Sequence, residues 1–256
     1  MKNGKIYGVG VGPGDPELMT LRAVDVLNQV DVIVIPQSSK YIKSVAWRIA
    51  ESHVGDHPEQ EKLFLTFPMS KDPEKTGPAW ETAFREIGER VQNGKSLAFI
   101  SEGDPLFYST FIYLLNQAEK KWPGCEVEII PAVSSLTAVP AVIRTPIADG
   151  LERIAVLPAS YGLEDLRTIL DLFDTVFLMK VTPVMAEIID ILTEKGLLNR
   201  SVYVSRATMD GQSIVTDLNL IKNDKCDYFS MIMVSKKERS GKIVPDHHKL
   251  IFAGEK

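Results

Sequence analysis

The sequence predicts an α/β protein of two domains: an N-terminal domain with a mostly parallel five-stranded sheet, and a C-terminal domain with a mixed five-stranded sheet. Three observations lead there. Strand and helix signals alternate through the first half, the pattern of a parallel sheet with helices on both faces. The first apolar strand runs into a turn with glycine at positions 8, 10, 12 and 14, stiffened by Pro13 and Pro16. The last three strand signals stand so close together that only short connections fit, which calls for antiparallel pairing. A chain of 256 residues is long enough to bury the core of one large domain or two small ones.

Taken in order, the expected strands of the first half are Lys5 to Gly10, Asp31 to Ile35, Lys62 to Phe67, Leu97 to Ser101 and Glu126 to Ile130. Between them, Leu21, Val24 and Leu27 recur at helical spacing, with Thr20 or Asp15 able to cap. Val45 to Ser52, Ala79 to Asn93 and Phe107 to Lys121 are further helices, the last ending before Pro123-Gly124. Strands at Arg153 to Leu157, Thr175 to Val181, Ser201 to Ser205, Ser213 to Thr216 and Tyr228 to Val234 make up the second half. Arg144 to Gly150 combines proline, glycine and polar residues, and places the break at 145/146, giving domains 1–145 and 146–256.

Charge and composition narrow the function. A net charge of −5 argues against a nucleic-acid coat, while leaving room for a local basic pocket. Cys125 and Cys226 match no metal spacing, as in a reduced, cytoplasmic protein. The N-terminus passes directly into a strand, so no signal peptide is expected. No apolar run approaches the roughly 20 residues of a membrane helix. His53, His57, His247 and His248 form no ligand-spaced helical pair, so no structural metal is expected.

Glycine lets a ligand approach the backbone closely, so strand, rigid glycine loop and helix make a nucleotide site. Two familiar forms fail on spacing. The dinucleotide fingerprint needs a third glycine five residues after the first; counting from Gly8 reaches Pro13, and from Gly10 reaches Asp15. No acidic residue closes the second strand, which runs into Pro36. Gly94-Lys95-Ser96 lacks the leading glycine of a phosphate loop, since position 89 is Glu89, and it precedes a strand rather than a helix. It reads as a helix-to-strand turn.

Three ordered motifs carry a resemblance. They are Val9-Gly10-Val11-Gly12-Pro13-Gly14-Asp15-Pro16-Glu17-Leu18, then Ser101-Glu102-Gly103-Asp104-Pro105-Leu106-Phe107-Tyr108, then Ile130-Pro131-Ala132-Val133-Ser134-Ser135. In content and spacing the chain resembles the tetrapyrrole (corrin/porphyrin) methylases over nearly its whole length. Gly103 to Phe111, Ile154 to Ala159, Phe177 to Val181, Ser205 to Met209 and Tyr228 to Ile232 are similar to the precorrin-2 C20-methyltransferase branch. Two departures stand out. Ala132 occupies a position usually glycine, where it would strain a backbone with φ > 0, and Glu102 replaces the first glycine of a Gly-Gly-Asp found in some relatives.

The resemblance implies the tetrapyrrole methylase fold, S-adenosylmethionine as co-substrate, and a homodimer. It implies cofactor contacts from Pro13, Glu102, Gly103, Asp104, Phe107, Ser134 and Ser135 in the first half and from Met179 and Ala207 in the second. The cofactor would be folded between the domains and held largely by backbone groups. The reaction implied is methyl transfer to C20 of precorrin-2 or of cobalt-factor II (cobalt-precorrin-2) in cobalamin biosynthesis. An in-line attack by a meso carbon expels a neutral thioether, so no acid is needed and positioning supplies much of the acceleration. The methylated carbon then has a proton to lose; Glu102, Asp104 and Tyr108 are candidate bases, and the catalytic residue stays unassigned. Any cobalt arrives inside the substrate. The macrocycle is edged with carboxylates, for which Lys40, Lys43, Arg48, Lys180 and Arg206 are candidate partners. The alternative is another ring methylase, such as the uroporphyrinogen III enzyme. The acidic balance speaks against the ribosomal RNA branch, the C20-like segments speak against both it and the diphthine branch, and a non-catalytic S-adenosylmethionine sensor would leave the second half without a purpose.

Overall fold

The computed structural model describes residues 3–39, 41–68, 72–161 and 163–237; Lys40, His247 and His248 lie outside them. The chain divides into two compact units, one ending at Ser135 and the other beginning at Leu136.

The first unit is built on β1 (Ile6–Gly10), β2 (Val32–Gln37), β3 (Glu61–Thr66), β4 (Leu97–Ser101) and β5 (Val127–Ile130). They pair in the order β3-β2-β4-β1-β5, every pair parallel. Central strands buried on both faces read as continuous apolar runs, and Val32 to Ile35 and Leu97 to Ile100 are all fully buried. Pro36 does not end β2. Pairing with β4 stops at Val34, and Pro36 continues only opposite Leu65 of β3, on a side where its missing N–H is tolerated.

Four helices of this unit connect the strands: α1 (Leu21–Leu27), α2 (Val45–Ala50), α3 (Pro73–Gln92) and α4 (Phe111–Lys121). Asp15 and Thr20 both cap. Asp15 accepts from Glu17 N–H at the head of a short 3-10 turn, and Thr20 accepts from Ala23 N–H at the head of α1. The third helix starts earlier than the pattern suggests. Asp72 caps it with a 3.1 Å bond from Glu74 N–H and Pro73 takes its first position, so that nucleus outweighs the hydrogen bond lost at Pro78. The fourth helix starts later, at Phe111, because Tyr108 is left-handed (φ +52°) and the Ser109 hydroxyl accepts from Phe111 N–H. Gly94-Lys95-Ser96 is the turn between α3 and β4.

The second unit carries β6 (Ile154–Pro158), β7 (Thr175–Met179), β8 (Ser201–Ser205), β9 (Ser213–Val215) and β10 (Ser230–Ser235), in the order β6-β7-β10-β8-β9. Only β6 and β7 are parallel; β10 runs antiparallel to both β7 and β8, and β9 antiparallel to β8. The helices α5 (Ser135–Ile143), α6 (Leu166–Leu172) and α7 (Met185–Glu194) complete it. The units part at 135/136, ten residues ahead of the expected break at 145/146, because Val139 of α5 packs with Phe177, Val204, Met231 and Met233. β7 stops at Met179 rather than Val181, where Lys180 turns left-handed (φ +54°). β10 begins at Ser230 rather than Tyr228, where the Asp227 carboxylate accepts from Phe229 N–H.

Candidate functional site

In the first unit, three loops leave the carboxyl ends of three adjacent strands, β4, β1 and β5, the edge at which open α/β sheets bind ligands. Pro13, Glu102, Gly103, Asp104, Phe107, Ser134 and Ser135 all lie on these loops or at their junction with α5. The loops interlock. The β1 loop joins the β4 loop through Val11 N–H to the Ser101 carbonyl (3.0 Å) and Gly103 N–H to the Gly12 carbonyl (2.8 Å). Asp104 joins the β4 loop to the β5 loop: Oδ1 accepts from Leu106 N–H at 2.9 Å and Oδ2 accepts from Ala132 N–H at 3.1 Å. Ser101, nearly buried, shares a 2.9 Å hydroxyl contact with Ser109.

Two glycines matter for different reasons. A Cβ on Gly10 would come within 2.5 Å of both the Ala132 methyl and the Gly103 carbonyl oxygen, so only glycine fits beneath the neighbouring loops. Gly103 is left-handed (φ +64°), yet an added Cβ would meet nothing nearer than Ser134 Cα at 3.9 Å. Its backbone therefore faces open space. Ala132 is not among the residues with positive φ, so its methyl brings no backbone strain; the steric demand falls on Gly10 instead.

Glu102 is exposed by surface area, while neighbouring protein atoms desolvate its carboxyl and push its pKa upward. Its Oε1 accepts from Ala46 N–H at 3.2 Å, which opposes the shift without reversing it. Phe107 N–H donates to the Asp104 carbonyl, and its ring meets Tyr108 edge-on at 4.8 Å. Lys43 and Arg48 are exposed, at the head of α2 and within it.

The second unit gathers its candidates at one sheet edge. β7 and β8 end side by side with the start of β10 between them, with Met179 opposite Met231 and Ser205 opposite Ser230. Met179 ends β7, and Ala207 lies two residues past the end of β8. Pro158 of β6 pairs with Met179, so Pro158, Met179, Ser205 and Ser230 bring all four C20-like segments of this half to the same edge. Lys180 (φ +54°), Arg206 (φ +50°) and Thr208 (φ +66°) are left-handed there. Non-glycine residues in that conformation are uncommon and concentrate at functional sites.

Sequence reasoning missed Asp227. Its Oδ2 accepts from Arg206 Nε at 2.7 Å and its Oδ1 from Phe229 N–H at 2.8 Å, so it shapes both the turn and the arginine. His53 and His57 serve the backbone around Asn28, which accepts from Gly55 N–H and contacts His57 Nε2 at 3.0 Å. His53 Nε2 lies 3.2 Å from the Pro16 carbonyl. Among the described residues no helix is long and apolar enough to cross a membrane.

Residues 5–220 match the family model for Tetrapyrrole (Corrin/Porphyrin) Methylases. The chain is 36% identical to a probable cobalt-precorrin-2 C(20)-methyltransferase of Methanocaldococcus jannaschii, over 92% of this chain and 97% of that one. It is 32% identical to the cobalt-precorrin-2 C(20)-methyltransferase of Salmonella typhimurium, over 92% and 98%. Among solved structures, uroporphyrin-III C-methyltransferase from Thermus thermophilus complexed with S-adenosylhomocysteine superposes with a TM-score of 0.65 at 21% identity, over 91% of this chain and 98% of that one.

Proposed function

The chain belongs to the tetrapyrrole (corrin/porphyrin) methylases, and from that premise we propose that it methylates C20 of precorrin-2 or its cobalt-containing counterpart in cobalamin biosynthesis, with S-adenosylmethionine as methyl donor. The observation that carries this reading is the single edge of the second sheet where all four C20-like segments of that half meet. Relatives named for the same reaction, matched almost end to end, support it.

The loops of the first unit fit the co-substrate. Gly103 offers backbone with no side chain over it, and both Asp104 oxygens are spent on holding the loops in place. A nucleoside with an amino-acid tail suits such a cradle of main-chain donors and acceptors. Pro13, Glu102, Gly103, Asp104, Phe107, Ser134 and Ser135 would hold it. When bound, S-adenosylmethionine supplies an electrophilic methyl group on a sulfonium whose departure as a thioether needs no acid.

The chain's own residues then position the reactants and handle one proton. Each Asp104 oxygen already accepts a backbone N–H, which favours another group as the base. Glu102 is the better acceptor for the proton released at the methylated carbon. Its Oε1 accepts from the Ala46 N–H, a bond that leaves the carboxyl able to take up a proton. A carboxylate whose pKa is raised by burial is a stronger base once deprotonated. We also propose a homodimer, which light scattering would test.

The deciding assay is anaerobic, with methyl-labelled S-adenosylmethionine offered beside precorrin-2 and cobalt-factor II, and the label located by NMR. Label at C20 is the expected result. Label at another ring position would make the chain a different ring methylase, and no transfer despite tight co-substrate binding would discard the C20 reading.

A further inference from the structure

Arg206 is held in a way that keeps its charge available. It is the first residue past β8, in the left-handed region, with its N–H donated to the Phe229 carbonyl at 2.8 Å. Its Nε donates to Asp227 Oδ2, while its two terminal nitrogens make no hydrogen bond to any described residue. The side chain is 43% exposed.

Asp227 is itself fixed. Its Oδ1 accepts from Phe229 N–H, its carbonyl accepts from the Thr182 and Ser230 hydroxyls, and its N–H donates to the Tyr203 hydroxyl. A charge that only needed solvation would not require a left-handed backbone or a buttressed carboxylate at its inner nitrogen. With Nε pinned, the outer pair of nitrogens presents a planar fork, the geometry that grips a carboxylate bidentately. It does so at the edge where the four C20-like segments meet, across β10 from Lys180.

We propose that the terminal nitrogens of Arg206 bind a peripheral carboxylate of the tetrapyrrole, and that Asp227 is the positioning residue that aims them. This rests on the tetrapyrrole methylase reading above. It makes the charge pattern around the macrocycle, rather than the ring alone, a determinant of which substrate is accepted.

The test compares wild type with R206Q, R206K and D227N, and uses R167Q as control; Arg167 pairs with Glu194 on the exposed surface of α6 and α7. Anaerobic KM and kcat are measured with cobalt-precorrin-2, S-adenosylmethionine affinity by calorimetry, and folding by thermal melts. R206Q is expected to raise the tetrapyrrole KM about ten-fold or more, the scale of a lost charge-assisted contact, and to leave co-substrate affinity within about two-fold. R206K is expected to lose several-fold, because an ammonium cannot serve Asp227 and a bidentate carboxylate together. D227N is expected to fall between R206K and wild type, and R167Q to match wild type.

The decisive control is binding of the same ring with its carboxylates capped as methyl esters, which wild type and R206Q should bind equally. An unchanged KM in R206Q, an equal loss of co-substrate affinity, or a persisting difference on the ester would overturn the proposal. Those failures leave the methylase reading standing. Conversely, methyl transfer at a ring position other than C20 with the Arg206 dependence intact would overturn the C20 reading and keep this one.

Discussion

Asp104 and Ala132 are joined by a 3.1 Å hydrogen bond from the Ala132 N–H to Asp104 Oδ2, while Oδ1 of the same carboxylate accepts from Leu106 N–H. One side chain therefore sets the spacing of two loops. Asp104→Asn keeps a single acceptor and turns an N–H toward another N–H. We expect it to cost about 1–3 kcal/mol of stability and to weaken S-adenosylmethionine binding about ten-fold by calorimetry. Unchanged affinity would mean that the loop spacing is not what holds the co-substrate.

The two loop glycines should respond differently to the same change. Gly10→Ala forces a methyl within 2.5 Å of two fixed atoms, so it should cost more than about 2 kcal/mol in urea unfolding. Gly103→Ala meets open space and suffers only left-handed strain, about 1–2 kcal/mol. Gly103→Val should fold and fail to bind S-adenosylmethionine. Equal stability losses at positions 10 and 103 would contradict the close approach at Gly10.

Burial pushes the Glu102 carboxyl upward, so its proton leaves at higher pH than an ordinary glutamate's. As the base form does the work, kcat should rise with pH through this raised value and then level. Glu102→Gln keeps the shape and the bond from Ala46, so co-substrate affinity should change little. It should remove the acid limb and lower kcat by about 10²-fold or more. A pH–rate profile that keeps its limb in the variant would assign the proton elsewhere.

Arg90 holds Glu61 in a forked pair (Nε to Oε2 at 3.1 Å), fastening α3 to β3, and this lowers the carboxyl's pKa. A depressed folded pKa stabilises above the unfolded value, about 4.3, and that contribution is lost as pH falls through the folded value. Glu61→Gln should therefore cost about 1 kcal/mol at pH 7, allowing for partial solvent screening. The two proteins should converge in stability once the pH falls below the folded value. A gap that persists there would show packing rather than charge at this position.

The elements were legible because their signals are local. Apolar runs, capping residues and the Gly-Pro punctuation around residues 8–16 act within a few positions, and Asp15 and Thr20 both cap as their spacing suggests. The mixed pairing of the last strands was legible from their short connections. Strand order was not, because β1 between β4 and β5, or β10 between β7 and β8, depends on pairing over a hundred residues or a few tens. Some helix and strand ends were missed where one residue turns left-handed, as at Tyr108 and Lys180, since nothing in a tyrosine or a lysine announces that conformation. Asp227 stayed invisible for a related reason: its partner Arg206 is 21 residues away and meets it only once β8 and β10 have paired.

The middle place of β10 in the second sheet has a consequence during synthesis. All five strands of the first unit precede Ser135, so its sheet can close while the rest is still being made. The second sheet cannot, because the strand joining β7 to β8 ends at Ser235, a hundred residues later. At ribosomal rates of roughly 5–20 residues per second, the nascent chain spends several seconds with one half able to fold and the other unable to complete its sheet. Late in that interval, after Ser205 is made and before β10 is complete, β7 and β8 each present an unpaired edge, the feature that invites association between growing chains.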